Sequence, residues 1–594
     1  MDLLIPVVFL AQSVTMDVYP AQWAGWVPDR LLSSGDEITQ DVSLPGLPAL
    51  VAQTGVPLLR WGGIAAEYWD WEGFGYEGAS YVDYFGSGIV VVPSPCSIDD
   101  ILQFTEEAGA EPVLTVNHQI DDPAKAARLV EYCNGGTGTP MGALRAQRGH
   151  PEPYDVTLWC IGNEPDIAGG TYPTPFGTMT FYRHFGIPFE SWGWTDSVFC
   201  TPGQFSDLVG EYADAMRAAS PIPIEIGGLS LSGDLSWIGP VMGPNASSVD
   251  WMDAHYYPVW VWESDSTMYH DLLWSPDSSS IPLEARYSQI RATLDAVPGC
   301  AGIPLWMMEY NVAVMAEDPA WWNYLDGLVV ADCIGHLARA GAPAAAVYSI
   351  AEGTEGEFPL FGQIRTDTLS ARMGAHVLRL YSERFGGTLV ETDCAAAMEH
   401  GLEAWSSLTG DGSVSVMALN RDLDEPVEAS VEIHGWVPGT SFEAWSITCD
   451  ASLEAPWNGT SGIRYEGSFP CGASGIDWTF QPASVTCIVV HPTASVEDDG
   501  SDAGAMLRVL PNPSCGSVDL AFAVEAPGTP LVDIYDSCGR LLTRLQGQPV
   551  DNGACVVSWD GLQADGSRCP AGAYRAVATL PGGSVVTGEF VLLD

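Results

Sequence analysis

Seven short apolar runs recur along the first 350 residues, and amphipathic stretches separate them. Each run is nearly continuous rather than alternating, which is typical of strands buried on both faces of a parallel sheet. The runs cover residues 57–61, 112–117, 156–162, 222–227, 249–255, 303–308 and 344–350. Residues 122–133, 204–219 and 321–340 carry apolar side chains at helical spacing. Strands that alternate with helices predict an α/β fold, a closed (β/α)8 TIM barrel over residues 14–387.

The pattern changes after residue 388. Alternating strands such as 414–419 and 485–490, with Gly, Asn and Asp turns between them, predict an antiparallel β-sandwich over residues 388–492. Residues 493–505 are polar, acidic and Gly-rich and are typical of a linker. Residues 506–594 then predict a final short β-domain.

The N-terminus favours export. Residues 3–10 form a short apolar run, and Ala11-Gln12-Ser13 is similar to a small-residue cleavage site. We therefore expect residues 1–13 to be a signal peptide and the protein to be secreted or displayed at the cell surface; a buried first strand is the alternative. No run approaches the roughly 18 apolar residues of a membrane span.

The charge balance narrows the choice of partners. The chain has 76 acidic and 22 basic residues and a net charge of −54, so it would repel nucleic acids and anionic membranes. A neutral polymer suits this surface, although solubility or a salty habitat explains it equally well. We find no zinc motif and expect neither a metal nor a cofactor. Among the 14 cysteines, Cys449 with Cys471 and Cys394 with Cys487 are candidate disulfides if the protein is exported.

Polar side chains stand directly after the apolar runs. In a parallel barrel, the C-terminal ends of the strands carry the chemistry. The residues at these ends are Arg60, Asn117, His118, Asn163, Glu164, His255, Tyr256, Tyr257 and Glu309. A strand end that only faced solvent would not need this combination of residue types.

Two carboxylates, Glu164 and Glu309, each follow an apolar strand. Apolar flanks raise a carboxyl pKa by desolvation, which suits a general acid, while a nearby arginine would keep the partner ionised as a nucleophile. Retaining glycoside hydrolysis needs such a pair with the carboxyl groups about 5–5.5 Å apart. A salt-bridged barrel rim is the structural alternative for either residue alone.

Four motifs in chain order resemble the retaining glycoside hydrolases of clan A. Residues 159–166 (WCIGNEPD) resemble the acid/base motif after strand four, and residues 305–312 (LWMMEYNV) resemble the nucleophile motif after strand seven. Residues 254–258 (AHYYP) match the strand-six segment, and residues 59–63 (LRWGG) are similar to the Arg-x-Gly-Gly segment of families 44 and 51. Gly-Asn-Glu-Pro is also similar to families 39 and 79. The clan is therefore better defined than the family.

The resemblance implies a role for each matching residue. Glu164 would be the acid/base and Glu309 the nucleophile of a double-displacement mechanism. Asn163 would bind the sugar 2-hydroxyl, and Arg60 would hold Glu309 ionised. His255 and one of the two tyrosines, Tyr256 or Tyr257, would orient the nucleophile and touch the sugar, and Asn117 and His118 would line the same site.

The C-terminal domain resembles a different module. Residues 511–513, 534–541, 557–561 and 571–574 follow the pattern of FlgD-like immunoglobulin domains and of the related type IX secretion sorting domains. This resemblance implies an Ig-like β-sandwich that engages the secretion or cell-surface machinery.

Tryptophans in the predicted barrel loops suggest an extended polysaccharide groove, because aromatic faces stack on sugar rings. Trp61 and Trp69 are the members nearest to Arg60 in the sequence. We therefore expect an endo-acting enzyme that cleaves β-glucan, xyloglucan or xylan. An exo-acting α-L-arabinofuranosidase or β-xylosidase, a non-catalytic carbohydrate-binding surface protein and a structural adhesin are the alternatives.

Overall fold

The structure is a computed structural model, and it describes most of the chain from residue 14 onward. The described ranges are 14–73, 78–83, 90–118, 121–166, 170–174, 177–181, 201–257, 282–311, 324–352, 354–355, 358–359, 362–436, 438–448, 462–472, 475–492, 507–510, 518–524, 527–536, 540–549, 553–563, 567–569, 572–581 and 585–592. The predicted signal peptide (1–13) and linker (493–505) lie outside these residues. None of the described helices is both long and apolar enough to cross a membrane.

Eight parallel strands close into a barrel, which confirms the predicted fold class. The strands are β1 (Ser33–Glu37), β2 (Leu58–Gly62), β3 (Glu111–Val116), β4 (Leu158–Ile161), β5 (Glu225–Leu231), β6 (Trp251–Tyr256), β7 (Leu305–Tyr310) and β8 (Ala345–Tyr348). Each strand pairs with the next, and β8 closes on β1. The seven apolar runs correspond to β2–β8. The polar sequence of β1 gave no hydrophobic signal, although most of its residues are buried.

Helices cover the outside of the barrel. They are α1 (Leu47–Ala52), α2 (Ile98–Ala108), α3 (Pro123–Asn134), α4 (Pro140–Gln147), α5 (Pro202–Ala219), α6 (Ile238–Asn245), α7 (Leu283–Asp295), α8 (Tyr324–Ala340) and α9 (Met373–Arg384). Local sequence fixes several starts: Ser97 and Thr201 accept hydrogen bonds from the first turns of α2 and α5 as capping boxes. The apolar faces of the helices pack against the outward-facing side chains of the barrel strands and form one continuous core with them.

Short strands outside the barrel form small sheets, in which only the pairing of Ala351–Glu352 with Ile364–Arg365 is parallel among the described residues. Trp69–Asp70, Ser80–Asp83 and Val90–Pro93 form a three-stranded sheet between β2 and α2. The remaining short strands are Gly170–Thr174, Gly177–Phe181, Ala351–Glu352, Thr354–Glu355, Phe358–Pro359, Ile364–Arg365 and Ser370–Ala371.

A nine-stranded sheet follows the barrel and is antiparallel at all but one pairing. Its strands after the barrel are β9 (Gly387–Asp393), β10 (Leu402–Leu408), β11 (Val414–Asn420), β12 (Val427–Ile433), β13 (Pro438–Thr448), β14 (Arg464–Pro470), β15 (Ile476–Phe480) and β16 (Ser484–Pro492). A short helix, Ala395–Met398, connects β9 to β10. Both ends of the sheet contribute to one apolar core, so it folds over on itself.

The ninth strand of this sheet comes from the start of the described chain. Val14–Val27 pairs with β9 on one side and with β12 on the other, so it lies outside the barrel to which residues 14–387 were assigned. The alternation of buried Met16 and Val18 with partly exposed neighbours explains the difference. Such alternation suits a sheet with one buried face rather than a barrel strand buried on both.

The C-terminal residues form two small sheets around their own core, as predicted for an Ig-like sandwich. The strands are Arg508–Leu510, Val518–Val524, Leu531–Asp536, Leu541–Gln546, Gly553–Trp559, Gly572–Thr579 and Val585–Leu592. Arg575 of this unit lies over the Trp26 ring and donates a hydrogen bond to Thr388, 2.8 Å away, in the nine-stranded sheet.

The predicted Cys394–Cys487 disulfide is wrong. Both residues carry free thiols, as do the other cysteines of the described residues. Cys394 lies in the inner core of the nine-stranded sheet, whereas Cys487 lies on the face that packs against the barrel helices. Cys449, the predicted partner of Cys471, lies outside the described residues.

A buried ion cluster joins the barrel to the nine-stranded sheet. Arg421 donates to the carboxylates of Asp332 on α8 and Glu403 on β10. Arg421→Met removes one cation from this cluster and leaves His336 beside Asp332 and Arg339 beside Glu403, so the free energy of unfolding should fall by about 3 kcal/mol. Chemical denaturation measures this. Arg379→Met is the control, because its exposed pair with Glu383 should change stability by no more than about 0.5 kcal/mol. Equal losses in the two variants would contradict the assignment.

Candidate active site

The guanidinium of Arg60 lies at the centre of the barrel end, fully buried. Nη1 donates to Oε2 of Glu309 at 3.0 Å, and Nη2 donates to Oδ1 of Asn163 at 2.7 Å. Gly62 makes room for it, because a Cβ at that position would lie 2.5 Å from Arg60 Nη1. Three carboxylates, of which Asp253 and Glu309 are the nearest, raise the pKa of Arg60 against the effect of burial.

Glu309 is turned into the barrel by an irregularity of β7. Between Asp253 and His255 the register with β6 shifts, so that β7 carries one extra residue. Such a bulge re-aims the following side chain. Tyr257 Oη then donates to Glu309 Oε1 at 2.6 Å, and Arg60 occupies Oε2. Both oxygens of the Glu309 carboxylate therefore accept hydrogen bonds from donors within the pocket.

Glu164 reaches the same pocket through a left-handed turn after β4. Its φ angle is 49°, a region that few residues other than glycine adopt, and Gly162 before it has a φ of 72°. Asp166 stabilises this turn, because its carboxylate accepts the backbone N–H groups of Ser232, Gly233 and Asp234 after β5. The turn directs the Glu164 carboxylate to His255 Nδ1, 2.8 Å away.

The two glutamates are close neighbours. One oxygen of Glu164, one oxygen of Glu309 and a ring nitrogen of His255 all lie within 4.8 Å of one another, and all three residues are buried. Burial raises the pKa of Glu309, the positive charges of His255 and Arg60 oppose this rise, and the charge of Glu164 adds to it. A carboxyl pair this close shares a proton readily, which is what an acid and a nucleophile need.

His255 links this pair to a second layer of groups. Its Nε2 lies 3.1 Å from Asp253 Oδ2 and 2.9 Å from Ser230 Oγ. Burial lowers the pKa of the imidazole, but the carboxylates of Glu309, Asp253 and Glu164 overcome that effect and raise it to about 10. His255 is therefore an imidazolium at neutral pH and donates from both ring nitrogens.

The structure resolves the choice between the two tyrosines. Tyr257 faces the pocket and bonds Glu309. Tyr256 packs into the apolar core outside the strands, where Cys333 and Asp332 of α8 are its electrostatic neighbours. Neighbouring residues of a strand point to opposite sides, so only one of the two could reach the site.

Asn117 and His118 support the pocket wall. The Asn117 amide donates to the Trp69 carbonyl at 2.7 Å, and His118 Nδ1 lies 3.0 Å from Glu67 Oε1. Glu67 also accepts the backbone N–H of Asn163, so it ties this wall to the turn that carries Glu164.

Trp61 and Trp69 do not offer a face to a ligand. Trp61 is fully buried and donates to Thr105 of α2 at 2.9 Å, behind the barrel. Trp69 is also buried, and its indole N–H donates to Ser94 at 3.2 Å. Both therefore contribute to packing, unlike the sugar-stacking residues expected from the sequence. Other tryptophans of the predicted groove lie outside the described residues: Trp192, Trp194, Trp260, Trp262, Trp321 and Trp322.

Sequence reasoning missed several buried polar residues around the pocket. Asp253 and Ser230 form its floor, Glu67 forms part of its wall, and Glu37 ends β1 at the same barrel end. Glu37 accepts hydrogen bonds from the Ala65 N–H and from Tyr348 Oη, each 2.8 Å long. Asp253 lies two residues before His255, so strand periodicity already placed both on one face.

An eight-stranded parallel barrel with an arginine on β2, a glutamate after β4, a histidine on β6 and a glutamate on β7 has the architecture of a retaining clan A glycoside hydrolase. Comparison with known families agrees with this class. Residues 58–271 match the family profile described as the alpha-L-arabinofuranosidase 1 domain, and residues 515–583 match the FlgD Ig-like domain. The resemblances to clan A and to FlgD-like domains are confirmed.

Curated relatives match only parts of the chain. The intracellular exo-alpha-(1->5)-L-arabinofuranosidase of Streptomyces lividans is 26% identical over 240 residues, which is 39% of this chain and 31% of that protein. The enzyme of the same name from Bifidobacterium longum is 41% identical over 69 residues, 12% of each protein. The chain therefore spans less than a third of the length of either relative.

Solved structures share the fold over a longer range. The alpha-L-arabinofuranosidase of Thermotoga maritima, in complex with arabinose, has a TM-score of 0.63 at 20% identity and covers 80% of this chain and 100% of its own. A Paenibacillus polymyxa xyloglucanase from glycoside hydrolase family 44 has a TM-score of 0.57 at 11% identity and covers 81% of this chain and 100% of its own. At these identities the likeness is one of fold.

Glu37 should be a protonated carboxyl group at neutral pH. Burial raises its pKa to about 8, against the hydrogen bond from Tyr348. The group should therefore be neutral at about pH 6 and ionised at about pH 10. Infrared difference spectra between these conditions should show loss of protonated-carboxyl absorption from Glu37 and from Asp121, whose pKa burial raises to about 7, and Glu37→Gln should remove the Glu37 part of that change. An identical difference spectrum in the variant would contradict the assignment.

Proposed function

We propose that the protein is a retaining, exo-acting α-L-arabinofuranosidase that releases single arabinofuranose units from the ends of plant-type polysaccharides or oligosaccharides. The observation that carries the proposal is the pair Glu164 and Glu309, with carboxylate oxygens within 4.8 Å of one another. Retaining enzymes place their carboxyl groups about 5–5.5 Å apart, whereas inverting enzymes need about 6.5–9.5 Å to admit a water.

The choice of sugar rests on similarity. The matching domain profile carries the name of α-L-arabinofuranosidases, and the curated relatives are named as exo-acting on that sugar. The expected endo action rested on tryptophans in the predicted barrel loops, and two of these, Trp61 and Trp69, are buried in packing instead. These observations support the exo-acting alternative over cleavage within β-glucan, xyloglucan or xylan.

In the first step, Glu309 attacks the anomeric carbon and forms a glycosyl ester as the glycosidic bond breaks. The leaving oxygen takes the proton of Glu164. Arg60 and Tyr257 hold the two oxygens of Glu309 in place and favour the ionised form. These contacts reduce the reorganisation that the attack requires.

In the second step, Glu164 removes a proton from water, the water oxygen attacks the anomeric carbon, and Glu309 leaves as a carboxylate. Two inversions leave the anomeric configuration unchanged. The imidazolium of His255 holds Glu164 from Nδ1 in both steps. His255 therefore orients Glu164. The catalytic proton itself passes between Glu164 and the sugar or water oxygen.

Asn163 has a donor to spare for the sugar. Its Oδ1 accepts from Arg60, whereas its Nδ2 is buried and has no hydrogen-bond partner among the described residues. A buried amide N–H without a partner is costly, and a sugar hydroxyl would satisfy it. This geometry supports the proposed contact with the 2-hydroxyl, which strengthens in the transition state.

Product analysis tests the proposal. Purified protein should release arabinose as the sole early product from linear α-1,5-arabino-oligosaccharides and leave β-glucan, xyloglucan and xylan backbones intact. Glu309→Ala should lose about 10⁴-fold or more in kcat, because its nucleophile is gone. Glu164→Ala should regain turnover when azide replaces the activated water. Oligosaccharides of intermediate length from a β-glucan would overturn the exo assignment, and glycan binding without any product would favour a binding protein.

The two adjacent tyrosines offer a matched pair of variants. Tyr257→Phe removes a donor to Glu309 and should lower kcat by about 100-fold. Tyr256→Phe, on the opposite side of the strand, should stay within about twofold of the parent enzyme. Steady-state kinetics on an aryl arabinofuranoside measures both. A larger loss in Tyr256→Phe than in Tyr257→Phe would contradict the assignment of Tyr257 to the nucleophile.

We also propose that the protein is exported and that its C-terminal domain engages secretion or cell-surface machinery. The match of residues 515–583 to the FlgD Ig-like domain supports this location. Fractionation of expressing cells with and without residues 506–594 tests it. Retention of both forms in the cytoplasm would contradict it.

A further inference from the structure

Asp253 lies beneath the catalytic pair, fully buried on β6. Its Oδ1 accepts the backbone N–H of Met308 at 2.9 Å, and its Oδ2 accepts Ser230 Oγ at 2.8 Å. The same Oδ2 lies 3.1 Å from His255 Nε2 and 3.5 Å from Arg60 Nη2. One carboxylate oxygen therefore faces both cations of the site.

Those two cations are the partners of the two catalytic glutamates. Arg60 donates to Glu309, and His255 bonds Glu164 through Nδ1, which also lies 3.5 Å from Glu309. Asp253 itself is not among the groups that hold either glutamate. Its influence on the reaction passes through Arg60 and His255, and through the backbone of Met308, the residue before Glu309.

The charges of this cluster balance only when Asp253 is counted. With Arg60 and His255 positive, Asp253 and Glu309 negative, and Glu164 carrying the proton that the proposed first step requires, the charges of the buried site sum to zero. Without Asp253 it would carry an excess positive charge, which a buried site relieves by releasing a proton. His255 is the group able to release it, since arginine stays protonated.

We propose that Asp253 is a positioning residue that keeps His255 in its doubly donating form and holds Arg60 against Glu309. This proposal rests on the proposed function, because it assigns the shared counter-ion of the same two glutamates. A neutral His255 has one N–H and could donate to Glu164 or to Asp253 in the floor of the pocket, but not to both. Asp253 thus sets the orientation of the acid and of the nucleophile together.

The protonation of His255 tests the first half of the proposal without any substrate. Its pKa of about 10 reflects burial, which lowers it, and the facing charges of Glu309, Asp253 and Glu164, which raise it, with Arg60 as the nearby cation. The ring should be charged in the parent protein at about pH 8 and should lose its proton at least about one pH unit lower in Asp253→Asn.

Nuclear magnetic resonance of ring-labelled histidine measures this titration, with His255→Gln to assign the signal among the 10 histidines. A neutral His255 in the parent protein at about pH 8, or unchanged titration in Asp253→Asn, would overturn the proposal. If Asp253→Asn does not fold, Asp253→Ser provides the same test, because it keeps a hydroxyl acceptor and removes the charge.

Kinetics tests the second half. In Asp253→Asn the alkaline limb of kcat/KM should move to lower pH, and kcat should fall at least about tenfold while KM changes by less than about threefold. Asp250→Asn is the matched control, because Asp250 pairs with Arg217 2.6 Å away near the other end of β6. It should alter thermal stability without moving the pH profile.

The outcomes separate the two proposals. An inactive parent enzyme with a charged His255 would defeat the proposed function and leave the role of Asp253 in charge balance standing. An active parent enzyme whose pH profile is the same in Asp253→Asn and Asp250→Asn would defeat the positioning role alone. A loss of kcat without a moved limb would show that Asp253 is merely structural.

Discussion

The whole site depends on a positive charge that water cannot reach. Arg60 is fully buried inside the barrel, where an unpaired guanidinium would cost several kcal/mol. Its cost is offset because Glu309, Asp253 and Asn163 converge on it from β7, β6 and the turn after β4. The barrel closes around this guanidinium, and Gly62 is the residue that leaves space for it. Removal of Glu309 or Asp253 would leave buried charge unbalanced, and removal of Asn163 would take away a hydrogen-bond acceptor of the guanidinium.

Regular secondary structure alone would not aim these groups at one another. The bulge in β7 turns Glu309 inward, and the left-handed conformation of Glu164 brings the second carboxylate across from β4. Asp166 holds that turn from outside through three backbone N–H groups. The pocket is thus built where the barrel departs from ideal geometry, and the surrounding hydrogen bonds maintain those departures.

The parts of the fold that could be predicted from the sequence are those that the hydrophobic pattern specifies. Seven of the eight barrel strands coincide with continuous apolar runs, and most of the polar residues that follow them assemble in one pocket with Arg60: Asn163, Glu164, His255, Tyr257 and Glu309. Tyr256 is the exception that packs outside the strands. Hydrophobic patterning missed β1 because its sequence, SSGDE, is polar, and the strand is buried by its place in the closed barrel. Glu37 was missed with it.

Other failures concern the direction in which a side chain points. Trp61 neighbours Arg60 in sequence and therefore lies on the opposite face of β2, against α2. The same alternation, applied to β6, would have grouped Asp253 with His255. Long-range contacts such as Glu67 with Asn163 have no counterpart in local pattern, since they depend on how loops from different strands meet.

The most direct test of the account is to identify the residue that becomes covalently attached to the sugar. A 2-deoxy-2-fluoro-arabinofuranosyl substrate with a good leaving group slows the second step and allows the ester to accumulate. Peptide mapping by mass spectrometry should find the label on Glu309, in the peptide that contains β7. A label on Glu164, or an inverted product with no covalent adduct, would contradict the account.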